Sequence, residues 1–171
     1  ISEMGGLAES QLAQALRALR DRDTEVAEKV IVDDPRVDAL DDAVQEQTVR
    51  LLALRQPMAV DLRVILSSIK IAAALERIAD YAKNTAKRAH AISEALPRKL
   101  ATGLTRMGTM AQSQLTQVLD AYARQDDEKA LTVWRSDEDL DSLYNSIFRE
   151  LLTYMMEDPR NITPCTHLLF C

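Results

Sequence analysis

Glycine and proline are scarce in this sequence, four and five residues respectively, and aromatic residues make up only 4%. Windows of strand-forming residues are absent too, which excludes a sheet protein with its frequent turns. The dominance of Ala, Leu, Arg, Gln, Glu and Asp is the composition of a nearly all-helical chain. There are two cysteines, Cys165 and Cys171, six residues apart and so without the two-residue gap of a metal knuckle or redox motif; they read as structural thiols. An excess of basic charge is also missing. The net charge is -6, which argues against nucleic acid as a partner, because phosphate binding draws on clustered Lys and Arg. One local basic run, Lys83, Lys87, Arg88, Arg98, Lys99 and Arg106, reads first as a solvated helix end. No apolar window of about 18 residues is present to span a membrane, and no basic-then-apolar leader opens the chain, so the expected location is cytoplasmic. The first residue, Ile1, already lies within helical periodicity, which suggests trimming at the front.

What the sequence does have is hydrophobic residues, 47% of 171, enough for a sizeable core, and an internal duplication. Residues 4–30, MGGLAESQLAQALRALRDRDTEVAEKV, align without a gap to residues 107–133, MGTMAQSQLTQVLDAYARQDDEKALTV, with thirteen identities in twenty-seven positions at an offset of 103. The first copy then carries three extra residues, Asp33, Asp34 and Pro35, after which the register continues at an offset of 100, with Leu40-Asp41 over Leu140-Asp141. Each copy is one supersecondary unit.

Apolar spacing predicts a helix over about 4–19, a second starting after the N-cap Asp23 and bent or broken at Pro35 before running to about 54, and a long third helix from Pro57 to about 94. Pro97 separates the copies. Helices of about 98–123 and 126–157 repeat the plan, and after DPRNITP a new helix starts at Thr163 or Pro164. The expectation is therefore an all-α fold of tandem three-helix bundles, residues 1–96 and 97–171, the second missing most of its last helix.

The third helix raises a question of charge. Its apolar stripe, Leu62, Leu66, Ile69 and Ala73, continues into Asp80, with Glu76 beside it, and a second apolar stripe through Val64, Ile71, Leu75, Ile78 and Ala82 predicts a helix covered on both sides. On the second helix, Asp41 borders the stripe formed by Val26, Val30, Val37, Leu40, Val44 and Leu51. In the second copy Asp137 takes the place of Val37, inside the stripe, with Asp141 four residues on. Buried carboxylates that face one point can be held ionised by a bound cation, and all-oxygen ligation suits magnesium, calcium, manganese or iron. The other reading is that Glu76 pairs with Arg77 or Lys83 and binds nothing. Both stay open at this level. A ferritin-like site is not available, because neither His90 nor His167 completes a Glu-x-x-His motif. His90 is followed by Ala91 rather than by the acidic residue of a phospho-accepting hairpin, and no Ser-His-Asp set, Gly-rich phosphate loop or Cys-His pair points to catalysis.

The blocks MGGLAESQL, LALRQPMAVDLRVILSSIKIAAALERIADYAKN and LLTYMMEDPRNITP, occurring in order together with the duplication, resemble the PhoU family of bacterial phosphate-signalling proteins over essentially the whole chain. The resemblance implies paired three-helix bundles and a non-enzymatic, negative regulator of phosphate uptake. Such a regulator touches a phosphate ABC transporter ATPase and a sensor histidine kinase, reaches the membrane only through those partners, and forms a homodimer. It also implies metal ions or clusters held by Glu/Asp-x-x-x-Asp motifs. Glu76 and Asp80 match that motif, Asp41 the acidic position facing it, and Asp137 and Asp141 the corresponding motif of the second copy. Ala79 stands where the family usually has Gly. Asp61 and Arg63 also match, although both fit a structural part at the start of the third helix, and the MEDPRNITP loop reads equally as a connection or a contact surface.

Overall fold

The computed structural model describes residues 1–55, 57–92 and 98–171, with the side chains of all but 98–101. The expected domain break at 96/97, Pro97, Gln56 and the side chains of Arg98 and Lys99 therefore lie outside the description. Among the described residues eight α-helices follow one another: α1 Ser2–Asp21, α2 Thr24–Asp33, α3 Pro35–Arg55, α4 Val60–Ala91, α5 Arg98–Arg124, α6 Asp127–Arg135, α7 Asp137–Glu157 and α8 Ile162–Leu169, with a 3-10 turn, Pro159–Asn161, before α8.

The duplication is written into the local structure. α1 ends on Arg22 in the left-handed region (φ 57°), and its counterpart Gln125 after α5 is left-handed as well (φ 54°). One residue later the N–H of Val26 donates to Asp23 Oδ1 at 3.0 Å, and the N–H of Lys129 donates to Asp126 Oδ1 at 2.9 Å, so each copy caps its second helix with the same aspartate. The break at Pro35 appears as expected, between α2 and α3. A matching break at Ser136 carries no proline. There the Ser136 carbonyl accepts from Gln114 Nε2 of α5 at 3.0 Å and, in a tight i to i+3 turn, from the Asp139 N–H at 3.3 Å.

α1 sits at the centre and packs on α4, α5, α2 and α3. α1 and α5, the repeated first helices, cross antiparallel through reciprocal glycine notches. A Cβ on Gly5 would stand 2.6 Å from a Leu119 methyl, and one on Gly108 would stand 2.1 Å from a Leu16 methyl. Gly5 and Gly108 are repeat partners, and so are Leu16 and Leu119, which makes the crossing a local pseudo-twofold. Two buried clusters result, one around Ala18, Val30, Ala86 and Leu151, the other around Met4, Val37, Leu75 and Leu115; each mixes residues of both copies.

α4 corrects two expectations. Its buried line is Ala72, Leu75, Ala79, Ala82, Ala86 and Ala89, which takes Leu75 and Ala82 from the second stripe read from the sequence and is otherwise alanine, while Ala73 of the first stripe is exposed. The alanines let α4 lie close on α1, so shape rather than side-chain size chooses the inward face. Nor is α4 covered on both sides, since Val64 and Leu66 are exposed. Among the described residues no helix is long and apolar enough to cross a membrane.

Candidate functional site

Where α4 passes the α2–α3 junction, acids from both sides gather around one ammonium. Asp34, at the break forced by Pro35, is 5% exposed. Lys83 Nζ donates to its Oδ2 at 2.6 Å and to Asp80 Oδ1, three residues earlier on α4, at 2.5 Å. These charge-assisted bonds push the Lys83 ammonium well above the ordinary lysine range, so it is fully charged at neutral pH.

Glu76 lies one turn away, half-buried. Burial raises its carboxyl above the usual range, and the neighbouring charges of Asp80, Asp38 and Asp41 push it the same way. Asp38 is raised likewise, first by burial and then by Asp34. Asp41 accepts from Gln45 Nε2 at 2.5 Å through Oδ2, while its Oδ1 is buried without a hydrogen-bond partner. Glu76 therefore comes into electrostatic reach of Asp80 on α4 and of Asp41 on α3, at the margin of the buried stripe instead of on it.

Asp137 and Asp141 are placed differently. Both are exposed, Asp137 in the first turn of α7 with Glu138 and Asp139, where the helix dipole favours acids. The expected position of Asp137 inside an apolar stripe does not hold, because the break at Ser136 makes it a helix start. Asp141 sits on the rim of an apolar groove.

Among the described residues no three ligating side chains come close enough together to hold a metal ion. The acids of the first copy are arranged around the Lys83 ammonium rather than around an open coordination position. The residues that sequence reasoning left out of the site are Asp34 and Asp38, with Lys83 read only as a pairing alternative for Glu76 and as part of a basic run. The available signal for Asp34 was the Asp33-Asp34-Pro35 insertion, present in one copy only. Elsewhere in that run Arg88 stacks over the Phe170 ring at 5.5 Å, and Lys87 is exposed. Cys165 and Cys171 are free thiols, raised by burial, Cys171 to about 11, and both are protonated at neutral pH.

A family model, the PhoU domain, matches residues 1–89 and 104–171. The chain belongs to the PhoU family. It is 55% identical over 172 residues to a phosphate-specific transport system accessory protein PhoU homolog of Rhizobium meliloti (strain 1021), covering 100% of this chain and 73% of that one. To the homolog of the same description from Caulobacter vibrioides it is 50% identical, covering 99% and 74%. Among solved structures, PhoU from Pseudomonas aeruginosa superposes with a TM-score of 0.95 at 38% identity, over 98% of this chain and 81% of that one. The phosphate transport system regulatory protein PhoU from Streptococcus pneumoniae superposes with 0.85 at 27% identity, over 99% and 83%. The all-α bundle architecture is thus that of PhoU proteins.

Proposed function

We propose that the chain is a non-enzymatic regulator of phosphate uptake, one that restrains a phosphate ABC transporter and its sensor histidine kinase pathway through protein contacts. The observation that carries this is the PhoU match in two stretches spanning nearly the whole chain, with relatives at 50–55% identity described as accessory proteins of phosphate transport. The absence of a nucleophile or phosphate-loop motif in the sequence agrees with action by contact. The acting form is a cytoplasmic homodimer that binds the transporter ATPase and the kinase, and reaches the membrane through them alone.

Expression of the protein in a bacterium that lacks its own PhoU should return a phosphate-starvation reporter to its repressed level in phosphate-rich medium, and the protein should retain the transporter ATPase in pull-down. A folded, expressed chain that leaves the reporter fully on would refute the proposal.

A metal-handling bundle is the second reading, with Asp41, Glu76 and Asp80 as ligands on one side and Asp137 and Asp141 on the other. The buried, unpartnered Asp41 Oδ1 favours it; the Lys83 ammonium already paired with Asp80 and Asp34 opposes it. Elemental analysis after incubation with manganese, iron or magnesium and desalting separates the two. Stoichiometric metal lost in a Glu76→Ala, Asp80→Ala double variant would support metal handling, and metal-free protein that still represses the reporter would eliminate it.

A further inference from the structure

The basic run of the sequence ends at Arg106, and the fold brings two more cations to that residue. Between the end of α1 and the first half of α5 lies an open cleft of about 700 Å³, lined by Arg20, Arg22 and Arg106. Asp21 is the one acid among the described lining residues. Arg20 holds it bidentately, Nε donating to Oδ1 at 2.7 Å and Nη2 to Oδ2 at 2.8 Å, and Arg17 Nε lies 3.9 Å from the same Oδ2. The charge of Asp21 is thus already offset on α1 itself. Arg106, exposed on α5, takes part in no ion pair among the described residues.

The duplication shows that this surplus of cations is particular to one end of the α1–α5 crossing. At the offset of 103 the other end sets the close of α5 against the start of α1, with Glu3 in place of Arg106, Gln125 in place of Arg22, Ala123 in place of Arg20 and Arg124 in place of Asp21. One base faces one acid there, whereas three bases share one acid here. In a chain of net charge -6, such a concavity is the place to which a small anion is drawn.

The lining also selects the kind of anion. Thr102, Thr105 and Thr109 complete the wall with polar, uncharged side chains. No aromatic or long aliphatic side chain is among the described lining residues, so nothing there stacks a nucleobase or takes up an acyl chain. Guanidinium forks match the paired oxygens of a phosphoryl group. We infer that the cleft binds a small, multiply charged phosphate anion, orthophosphate or a short condensed phosphate, held between Arg106 of α5 and Arg20 and Arg22 at the end of α1.

Equilibrium dialysis of the full chain at low salt against orthophosphate and against tripolyphosphate tests this. Saturation at one anion per chain is expected, with affinity falling as sodium chloride is raised. Arg106→Gln should weaken binding by on the order of tenfold at an unchanged urea midpoint. Arg124→Gln, at the repeat-related end, should bind as the wild type does. Equal affinity for the two anions would identify free phosphate as the ligand, and tighter binding of tripolyphosphate a condensed phosphate. No saturable binding of either anion would overturn the inference, as would equal losses in Arg106→Gln and Arg124→Gln. ATP binding more tightly than tripolyphosphate would overturn it too, because the cleft offers a nucleobase nothing. The dialysis uses no reporter strain, so its outcome is separate from that of the regulatory reading.

Discussion

Lys83 carries a load out of proportion to one surface lysine, because it pairs with Asp34 and Asp80, Asp38 and Glu76 lie within its electrostatic reach, and Asp34 is almost wholly buried. Removing one partner of a buried pair leaves the other charge without compensation, and such losses run to about 3–5 kcal/mol; with Lys83 itself 21% exposed, Lys83→Met should cost about 2–3 kcal/mol in urea denaturation at neutral pH. Its raised ionisation places the Lys83 contribution in full below its ordinary 10.5, with loss only as pH climbs beyond that. Glu76 has the opposite effect at neutral pH. Its carboxyl is raised, so the stability linked to its protonated form is present below its ordinary 4.5 and is lost as pH rises through the folded value. Glu76→Gln should accordingly be more stable than wild type at neutral pH, with the advantage vanishing as the pH is lowered toward 4.5; an advantage independent of pH would contradict the cause assigned. In a Lys83→Met background the gain from Glu76→Gln should be larger, since the acids have then lost their cation.

Helix by helix, the element order and the two-copy plan were legible because they rest on periodicity, prolines and caps, all local. The inward face of α4 was legible only in part, through Leu75 and Ala82 of its second stripe. Leu62, Leu66 and Ile69 carry more hydrophobic surface than Ala72, Ala79 and Ala86, so hydrophobicity does not single out the inward face; the chosen face depends on how near α1 can come, which is a property of two helices at once. Asp34 was hidden for a related reason, since a residue beside Pro35 reads as punctuation until α4 brings Lys83 to it from forty-nine positions away. The glycines of α1 and α5 show the same dependence. Gly6 faces open space, so Gly6→Ala should raise stability by about 0.5–1 kcal/mol through helix propensity. Gly108→Ala would set its Cβ 2.1 Å from a Leu16 methyl and 3.0 Å from Leu16 Cγ, and should lower stability by about 1 kcal/mol net, overpacking outweighing propensity. The pair of urea midpoints moving in the same direction would refute the notch.

For the molecule as a whole, both buried clusters draw on both copies, Leu115 with Met4 and Ala8 in one, Leu151 and Leu104 with Ala18 and Val30 in the other. Neither copy can lose its structure without opening a cluster of the other, so calorimetry should give one transition, with calorimetric and van't Hoff enthalpies equal. Two resolved transitions would mean that the α1–α5 crossing contributes little. That crossing has a further consequence. Gly5 against Leu119 and Gly108 against Leu16 are the two equivalent halves of an isologous contact, the geometry by which a protein binds another molecule of itself. Carrying both halves on one polypeptide replaces a bimolecular encounter by an intramolecular one, at an effective concentration on the order of millimolar, so the pairing of the two repeats is insensitive to how much of the protein a cell makes.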